Sequence, residues 1–237
     1  MEGKTVLVTG ASRGIGAEIV RAFAERGAHV IGTRTASGDN ENNSPCAAWL
    51  AADFTDVAQI RASADEVRKI GPDVLINNAG INKIGPFASI DPEDFLRIQQ
   101  VNVFAPFLLC QAAIPAMKAR AWGRIVNISS IWGKIGKEYR APYAASKFAL
   151  DGITVALAAE HSQDGILANC VAPGFTDTEL TRRVLGEEGI RMLTAMVPTR
   201  RMASAQEIAN FVVWLGSDEN TYITGQNIAI DGGFTRV

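Results

Sequence analysis

Short apolar segments alternate along the chain with longer segments of helical period. Apolar runs between turn-forming residues indicate buried strands, and apolar residues three and four apart indicate helices. This pattern predicts strands at residues 6–8, 29–31, 47–52, 74–76, 124–128, 166–171 and 227–230. It predicts helices at residues 15–26, 57–69, 91–120, 143–161 and 205–215. The polar stretch 37–44 is predicted as a mobile loop, and residues 173–203 as a long irregular segment with helical pieces.

The regular alternation of strand and helix predicts a parallel sheet with helices on both faces, the doubly wound α/β (Rossmann) fold. The predicted strands lack polar alternation, as expected when both faces of a sheet are covered. The sequence contains no internal repeat, and no linker divides it. We therefore expect one domain over residues 1–237, with about seven strands.

The composition is that of a globular protein. Of the 237 residues, 47% are apolar and 20% charged, and the formal net charge is −2. This composition excludes a disordered chain and a strongly basic nucleic-acid binder. The three cysteines are widely spaced, so neither a disulfide framework nor a metal site is expected. The sequence shows no signal peptide and no unbroken apolar run of about 18 residues, which predicts a soluble, cytoplasmic protein without a membrane partner.

The turn between the first predicted strand and the first predicted helix is rich in glycine. Glycine lets the backbone approach a phosphate closely, and a helix N-terminus offers free N–H groups and partial positive charge. In a doubly wound fold, the pyrophosphate of a dinucleotide binds at this turn. The residues assigned to it are Gly10, Ser12, Arg13, Gly14, Ile15 and Gly16. The alternative is a tight turn without a ligand.

Candidate acid–base residues lie at the start of the helix predicted for residues 143–161. Tyr143 and Lys147 are four residues apart and share a helix face. A lysine beside a phenol favours the phenolate and should lower the tyrosine pKa, which suits a general acid/base. Such a pair alone is more often an ordinary helix surface. Ser130 strengthens the catalytic interpretation, because it ends a strand at the sheet edge where this fold places ligands.

Asn102 is singled out by the proline that follows it. Pro106 has no N–H, so a helix through both residues would leave the Asn102 carbonyl without its usual donor. We expect a kink there and a carbonyl free to bind water. The alternative is a proline kink without a catalytic role.

These segments together resemble the classical short-chain dehydrogenase/reductase family. Residues 9–16 are similar to its cofactor turn, with the spacing Gly-x-x-x-Gly-x-Gly, and residues 77–80 (Asn-Asn-Ala-Gly) to its motif after the fourth strand. Asn102, Ser130, Tyr143 and Lys147 match its catalytic tetrad, and residues 173–174 and 231–233 also match. The resemblance covers nearly the whole chain.

The resemblance implies an oxidoreductase that interconverts a carbonyl and a secondary alcohol. Tyr143 would donate the proton, Ser130 would orient the carbonyl oxygen, and Lys147 would hold the nicotinamide ribose. The Asn102 carbonyl would hold a relay water. The further cofactor contacts implied are Asp53 at the adenine, Asn77 on the adenosine side, Ala79, Gly80, Pro173, Gly174, and Thr178 at the nicotinamide end. A homotetramer is also implied, with the helical residues 144–159 packing against a second copy.

The cofactor is expected to be NADP(H) rather than NAD(H). In dinucleotide folds an acid about 20 residues past the glycines binds the ribose diol. Here Arg34 occupies that region, 18 residues beyond Gly16, and no acid follows before Asp39. An arginine attracts a 2′-phosphate that a carboxylate would repel. Arg13 could add a second positive charge, whereas Asp39 could still reach back and favour NAD(H).

The substrate remains open in the sequence. The chain most resembles the 3-oxoacyl-acyl-carrier-protein reductase branch, but Ala121 and Asp164 stand where those reductases often carry basic residues, although Lys118 and Arg120 are close by. A sugar, polyol or other small-alcohol dehydrogenase is the alternative, and an inactive NADP-binding sensor or scaffold is a third. Residues 179–198 are expected to form a substrate lid, and Trp132 lines either the substrate cleft or the core.

The chain also carries a group of positive charges just before Tyr143. Lys134, Lys137 and Arg140 are either solvated loop charges or a group that attracts an anionic substrate.

Overall fold

The computed structural model describes residues 1–35 and 44–237. The predicted loop 37–44 lies outside the described residues except for Ser44, and so does Asp39. Within the described residues, seven parallel strands form one sheet in the order β3-β2-β1-β4-β5-β6-β9. These strands are β1 (Thr5–Val8), β2 (His29–Arg34), β3 (Ala48–Ala51), β4 (Val74–Asn77), β5 (Gly123–Ile128), β6 (Ile166–Pro173) and β9 (Asn227–Ile230). The predicted doubly wound fold is confirmed.

Helices connect the strands. They are α1 (Gly14–Glu25), α2 (Val57–Ile70), α3 (Pro92–Gln99), α4 (Ala105–Ala119), α5 (Ala141–His161), α6 (Glu179–Met196) and α7 (Ala205–Leu215). Two short strands, β7 (Thr176–Asp177) and β8 (Ala203–Ser204), pair beside the main sheet. The helical pieces expected within residues 173–203 are present, but they cover more of the segment than an irregular one would allow. Helix α6 fills it, with one break at Gly186, whose φ is 62°.

The core has two halves, one on each face of the sheet. Val6 and Val8 of β1 pack with Phe23 of α1 and Val212 of α7, whereas Leu7 points to the other face and packs with Leu109 of α4. Successive residues of a strand point to opposite faces, so an unbroken apolar strand is the sequence signature of a sheet covered on both sides.

The strand order reverses between β1 and β4. Strands β2 and β3 extend from one side of β1, and β4, β5, β6 and β9 from the other. In open parallel sheets a crevice forms at the carboxyl ends of the strands at such a reversal. The segments after β1, β4 and β5, and the start of α5, therefore meet at one edge.

Residues Pro92–Ala119 form one continuous helical run that is long and apolar enough for a membrane span, which differs from the sequence expectation. Polar Gln100 and Asn102 interrupt the apolar residues, so the sequence shows no unbroken run. Half of the apolar window is buried inside the domain, and Leu109 and Met117 belong to its core. Burial of this kind is typical of a core helix in a globular domain.

Candidate active site

The glycine turn is held against the end of β4 by side-chain hydrogen bonds. The Thr9 hydroxyl accepts from the backbone N–H of Asn78 (2.9 Å) and of Ala79 (3.0 Å). The Asn78 amide donates to the carbonyls of Thr9 and Gly10, both at 3.0 Å. A Cβ on Gly16 would lie 2.2 Å from the Gly10 carbonyl oxygen, so the turn packs too tightly for any side chain there.

Helix α1 begins at this turn without a side-chain cap. Arg13 is its N-cap residue and makes no capping hydrogen bond, and the first turn contains no acidic residue. The first N–H groups of a helix lack partners within the helix, and together with the helix dipole they favour an anion. The glycine cradle and the uncapped helix therefore fit the pyrophosphate of a dinucleotide.

A cleft of about 400 Å³ extends from the turn across the carboxyl edge of the sheet. The predicted cofactor residues that line it are Gly10, Ser12, Arg13, Gly14, Ile15, Gly16, Arg34, Asp53, Ala79, Gly80 and Thr178. The sequence interpretation missed other lining residues: Thr33, Thr35, Ala52, Phe54, Thr55, Asn78, Ile81 and Val101. Glu179 and Arg183, which also line the cleft, belong to the predicted lid 179–198. Most of the missed residues directly neighbour predicted ones, so proximity in sequence was the available signal.

Arg34 lies at the end of β2 and lines the cleft. Its guanidinium carbon is 5.0 Å from the centre of the Trp49 ring, a cation–π distance. Asp53, on the cleft wall, accepts hydrogen bonds from the Thr55 N–H (2.9 Å) and hydroxyl (2.7 Å). Positive charge from Arg13 and Arg34 thus stands at this end of the cleft.

Five predicted cofactor residues do not line the cleft: Asn77, Pro173, Gly174 and the acid–base pair Tyr143 and Lys147, which is described below. The Asn77 side chain points into the core, where its amide donates to Asn127 (2.8 Å) and to the Cys110 sulfur (3.3 Å). Asn77 is the last residue of β4, so its side chain and that of Asn78 leave the strand in different directions, and Asn78 reaches the cleft. Pro173 ends β6, and the Gly174 N–H donates to Ile230 of β9 at 2.9 Å.

Gly174 has a packing reason of its own. A Cβ at this position would lie 2.7 Å from the Cα of Asp231, so the chain can follow β9 closely only with a glycine here.

The predicted acid–base residues come together beside the cleft. Ser130 follows β5 and is buried, Tyr143 in the first turn of α5 is half-buried, and Lys147 one turn later is buried. The Lys147 ammonium lies 5.4 Å from the centre of the Tyr143 ring and donates to the Ile128 carbonyl at 2.8 Å.

Burial dominates the ionisation of this pair. Burial lowers the pKa of Lys147 to about 8. The expectation of a lowered tyrosine pKa is wrong: burial raises the pKa of Tyr143, and the Ser130 hydroxyl and the Arg140 charge only partly oppose it. Burial destabilises the phenolate more than the Ser130 hydrogen bond and the Arg140 charge stabilise it. The phenol therefore holds its proton, as a general acid must.

Asn102 lies in a π-helical segment, Gln100–Phe104, between α3 and α4. The Ala105 N–H bonds the Gln100 carbonyl, five residues back rather than four, so the expected kink takes the form of a widened turn. The Asn102 side chain is fully buried, accepts from the Ile81 N–H (2.8 Å), and donates to the Ile81 carbonyl (2.9 Å) and the Ser146 hydroxyl (3.0 Å).

Ser146 completes a connection that the sequence interpretation missed. Its hydroxyl accepts from Asn102 and donates to the Tyr143 carbonyl at 2.7 Å. Gly80, in the loop after β4, lies against both Asn102 and Lys147. A Cβ at this position would be 3.3 Å from the Asn102 amide oxygen and 3.6 Å from the Lys147 nitrogen. The π-helical segment, the loop after β4 and helix α5 are thus joined at the acid–base pair.

Three aromatic rings cluster next to Ser130. Trp132, Phe175 and Phe234 meet edge to face, with ring centroids 5.1–6.1 Å apart. The backbone N–H of Trp132 donates to the Ser130 hydroxyl at 3.2 Å. Edge-to-face packing fixes the orientation of the rings and gives the residues after β5 a rigid support.

Comparison with known proteins agrees with this geometry. A family model described as enoyl-(acyl carrier protein) reductase matches residues 10–235. The chain is 40% identical over 242 residues to the 3-oxoacyl-[acyl-carrier-protein] reductase of Escherichia coli (strain K12), covering 100% of this chain and 99% of the relative. The chain belongs to the short-chain dehydrogenase/reductase family. As a member of this family it is an NAD(P)-dependent oxidoreductase, as the sequence predicted.

Two further relatives of this short-chain dehydrogenase/reductase have different names. Dehydrogenase/reductase SDR family member 6 of Rattus norvegicus is 37% identical over 243 residues, covering 99% of this chain and 98% of the relative. A crystal structure of gluconate 5-dehydrogenase from Burkholderia cenocepacia, in complex with NADP and tartrate, superposes with a TM-score of 0.90 at 30% identity and covers 100% and 97% of the two chains. The family thus combines one fold with several substrates.

Proposed function

We propose that this protein reduces a ketone to a secondary alcohol with NADPH, and catalyses the reverse oxidation with NADP⁺. The observation that carries the proposal is the meeting of Ser130, Tyr143 and Lys147 beside a cleft that begins at the glycine turn. The intact pair argues against the alternative of an inactive sensor, because a binding-only protein has no need of a buried lysine beside a phenol.

Each side chain has a distinct task. NADPH, when bound, supplies the hydride that reduces the carbonyl carbon. Tyr143 gives its proton to the carbonyl oxygen, and Ser130 donates a hydrogen bond that orients and polarises that oxygen. The Lys147 charge stabilises the phenolate that remains, and the Lys147 ammonium would hold the nicotinamide ribose of the bound cofactor. The Asn102 carbonyl binds the water through which Tyr143 regains a proton.

The cleft residues named above would hold the cofactor. The glycine turn and the first N–H groups of α1 would bind the pyrophosphate, Asp53 would lie at the adenine, and Thr178 at the nicotinamide end. Arg34 and Arg13 would bind the 2′-phosphate, which favours NADPH over NADH. The NADP in the gluconate 5-dehydrogenase complex supports the same preference.

The substrate class is supported in two directions. The 40% identity to a 3-oxoacyl-[acyl-carrier-protein] reductase favours a 3-oxoacyl thioester. Docking of an acidic carrier protein is less well supported, because Lys118 pairs with Asp164 at 2.9 Å and Arg120 with Asp73 at 3.1 Å. These ion pairs neutralise the positive charges that could otherwise attract an acidic carrier protein. The likeness to a gluconate dehydrogenase keeps sugar, polyol and other small alcohols as the second candidate.

We further propose a substrate lid over residues 179–198 in a cytoplasmic homotetramer. Glu179 and Arg183 of α6 line the cleft, and Gly186 breaks the helix, which is the arrangement expected of a segment that closes over a ligand. Phe148 and Val155 leave an apolar stripe on the outer face of α5, 47% and 51% exposed. A second copy of the chain could cover that stripe.

A substrate panel tests the proposed function. Acyl thioesters, keto sugars and diketones are offered with NADPH and with NADH, and polyols with the oxidised cofactors, and absorbance at the nicotinamide band is followed. We expect at least one ketone to be reduced, and kcat/KM to be higher with NADPH. Preference for NADH would contradict the role of Arg34, and no turnover across the panel would contradict the reaction.

A further inference from the structure

The three basic residues before Tyr143 differ in their contacts: Lys134 and Lys137 each bind another group of the protein, and Arg140 does not in the part of the chain that the structure describes. The Lys134 ammonium donates to the Asn227 carbonyl at 2.7 Å, and Lys137 forms an ion pair with its neighbour Glu138. The Arg140 side chain makes no hydrogen bond or ion pair with any residue in the ranges 1–35 and 44–237. Of the three cations, Arg140 is therefore the one whose charge has no hydrogen-bonding or ionic partner among the described residues.

Arg140 is also partly withdrawn from water. The residue is half-buried, and burial lowers the pKa of its guanidinium, which nevertheless stays charged. Its electrostatic coupling is with Tyr143. Partial burial of a cation without an anionic partner destabilises the folded protein, because the lost hydration is not replaced. Binding of an anionic ligand would offset this cost.

The backbone holds Arg140 at the catalytic end of α5. Arg140 is the N-cap of α5, and its carbonyl accepts from the Ala144 N–H at 2.8 Å. On one side the Tyr139 carbonyl accepts from the Gly85 N–H (3.1 Å), and on the other the Pro142 carbonyl accepts from the Gln99 amide (2.9 Å). Tyr143 follows Arg140 by three residues in the first turn of α5, and the Arg140 charge acts on the Tyr143 phenol, so the two side chains can reach one small molecule.

We propose that Arg140 binds a carboxylate of the substrate, so that the preferred substrates are small oxo acids whose carboxylate is only a few bonds from the reacting carbonyl. The proposal rests on the proposed function and narrows its substrate class. A guanidinium can receive a carboxylate through two parallel hydrogen bonds, which fixes the position of the carbonyl relative to Tyr143. Because Lys118 and Arg120 are paired with acidic residues, the surface near them offers little attraction to an acidic carrier protein. This favours a free acid as the substrate over a carrier-bound thioester.

The test compares matched acids and esters. The substrates are 2-oxobutanoate, 3-oxobutanoate and 4-oxopentanoate, each with its ethyl ester, which keeps the ketone and removes the charge. With NADPH we expect at least one acid to exceed its ester in kcat/KM by about tenfold or more, the scale of one charge-assisted hydrogen bond. Equal kcat/KM for every acid and its ester would overturn the proposal while leaving the reductase function intact.

Variants assign the preference to Arg140. Arg140→Gln should raise KM for the preferred acid about tenfold or more and leave KM for its ester within about threefold, because only the acid loses an ion pair. Arg140→Lys should restore part of the affinity. Lys137→Gln, which removes an exposed cation from the same loop, is the matched control and should change neither KM. If KM rises equally for the acid and the ester in Arg140→Gln, the carboxylate site is wrong, and Arg140 only positions Tyr143.

Binding in a dead-end complex separates this inference from the proposed function. Calorimetric titration of the acids and esters into protein saturated with NADP⁺ needs no turnover. We expect the parent to bind an acid more tightly than its ester, and Arg140→Gln to lose that difference. If no ketone is reduced but this difference is present, the reaction is wrong and the carboxylate site stands. If the parent shows no difference, the carboxylate site is wrong.

Discussion

At the scale of residues, function depends on which way each side chain points. The spacing of Tyr143 and Lys147 and the position of Ser130 identified the acid–base group from the sequence, because helix and strand periodicity fix which residues share an edge. Periodicity could not decide between Asn77 and Asn78, since the direction in which each leaves β4 is set by the fold around it. Nor could spacing report how deeply Tyr143 is buried, which is why the direction of its pKa shift was wrong.

The glycine turn gives a prediction at a single position. Gly16→Ala would place a Cβ 2.2 Å from the Gly10 carbonyl oxygen and 2.6 Å from the Asn78 amide, and neither can withdraw without opening the turn. We expect the Kd for NADPH, measured by quenching of protein fluorescence, to rise about tenfold or more, because the phosphate cradle is disrupted.

The matched control is Gly136→Ala in the loop before α5, where a Cβ meets nothing within 4 Å. It should leave the Kd for NADPH unchanged. Unchanged NADPH affinity in Gly16→Ala would contradict the placement of the pyrophosphate.

At the scale of elements, the instructive cases are the segment around Asn102 and helix α6. Pro106 correctly indicated a disturbed helix, but not its form: the chain widens into a π-helical turn just before Pro106, whose missing N–H leaves the Asn102 carbonyl without its usual donor. Helical pieces were predicted within residues 173–203, but the bounds of α6 were not, because Gly186 divides it into two short pieces, each with a weak apolar stripe. The strongly apolar face of α1, by contrast, made that helix readily predictable.

At the scale of the whole molecule, one sheet places the cofactor and the substrate together. The strand reversal between β1 and β4 opens the cleft, and the neighbouring end of β5 supplies Ser130. The alternation of strands and helices was sufficient to predict this architecture. The sequence could not show which of Lys134, Lys137 and Arg140 lacks a partner in the protein. That depends on contacts between distant segments, such as the hydrogen bond from Lys134 to the Asn227 carbonyl.

The proposed tetramer is tested by a charge placed on the apolar stripe of α5. Val155→Glu would bury a carboxylate if a second copy covers this face, so we expect light scattering to report a smaller assembly. Val57→Glu is the control, because Val57 is 40% exposed at the start of α2 and an acid is favourable at that end of a helix. A parent protein that is monomeric at micromolar concentration would contradict the tetramer.

The central claim is that Tyr143 is the proton donor in an NADPH-dependent carbonyl reduction. The most direct measurement pairs kcat with NADPH affinity in Tyr143→Phe, using the best ketone of the substrate panel. The variant removes one hydroxyl and leaves the cleft intact, so kcat should fall by about 10²–10⁴-fold, the contribution of a general acid. The Kd for NADPH should stay within about threefold of the parent value. A variant that keeps the parent kcat would contradict the account.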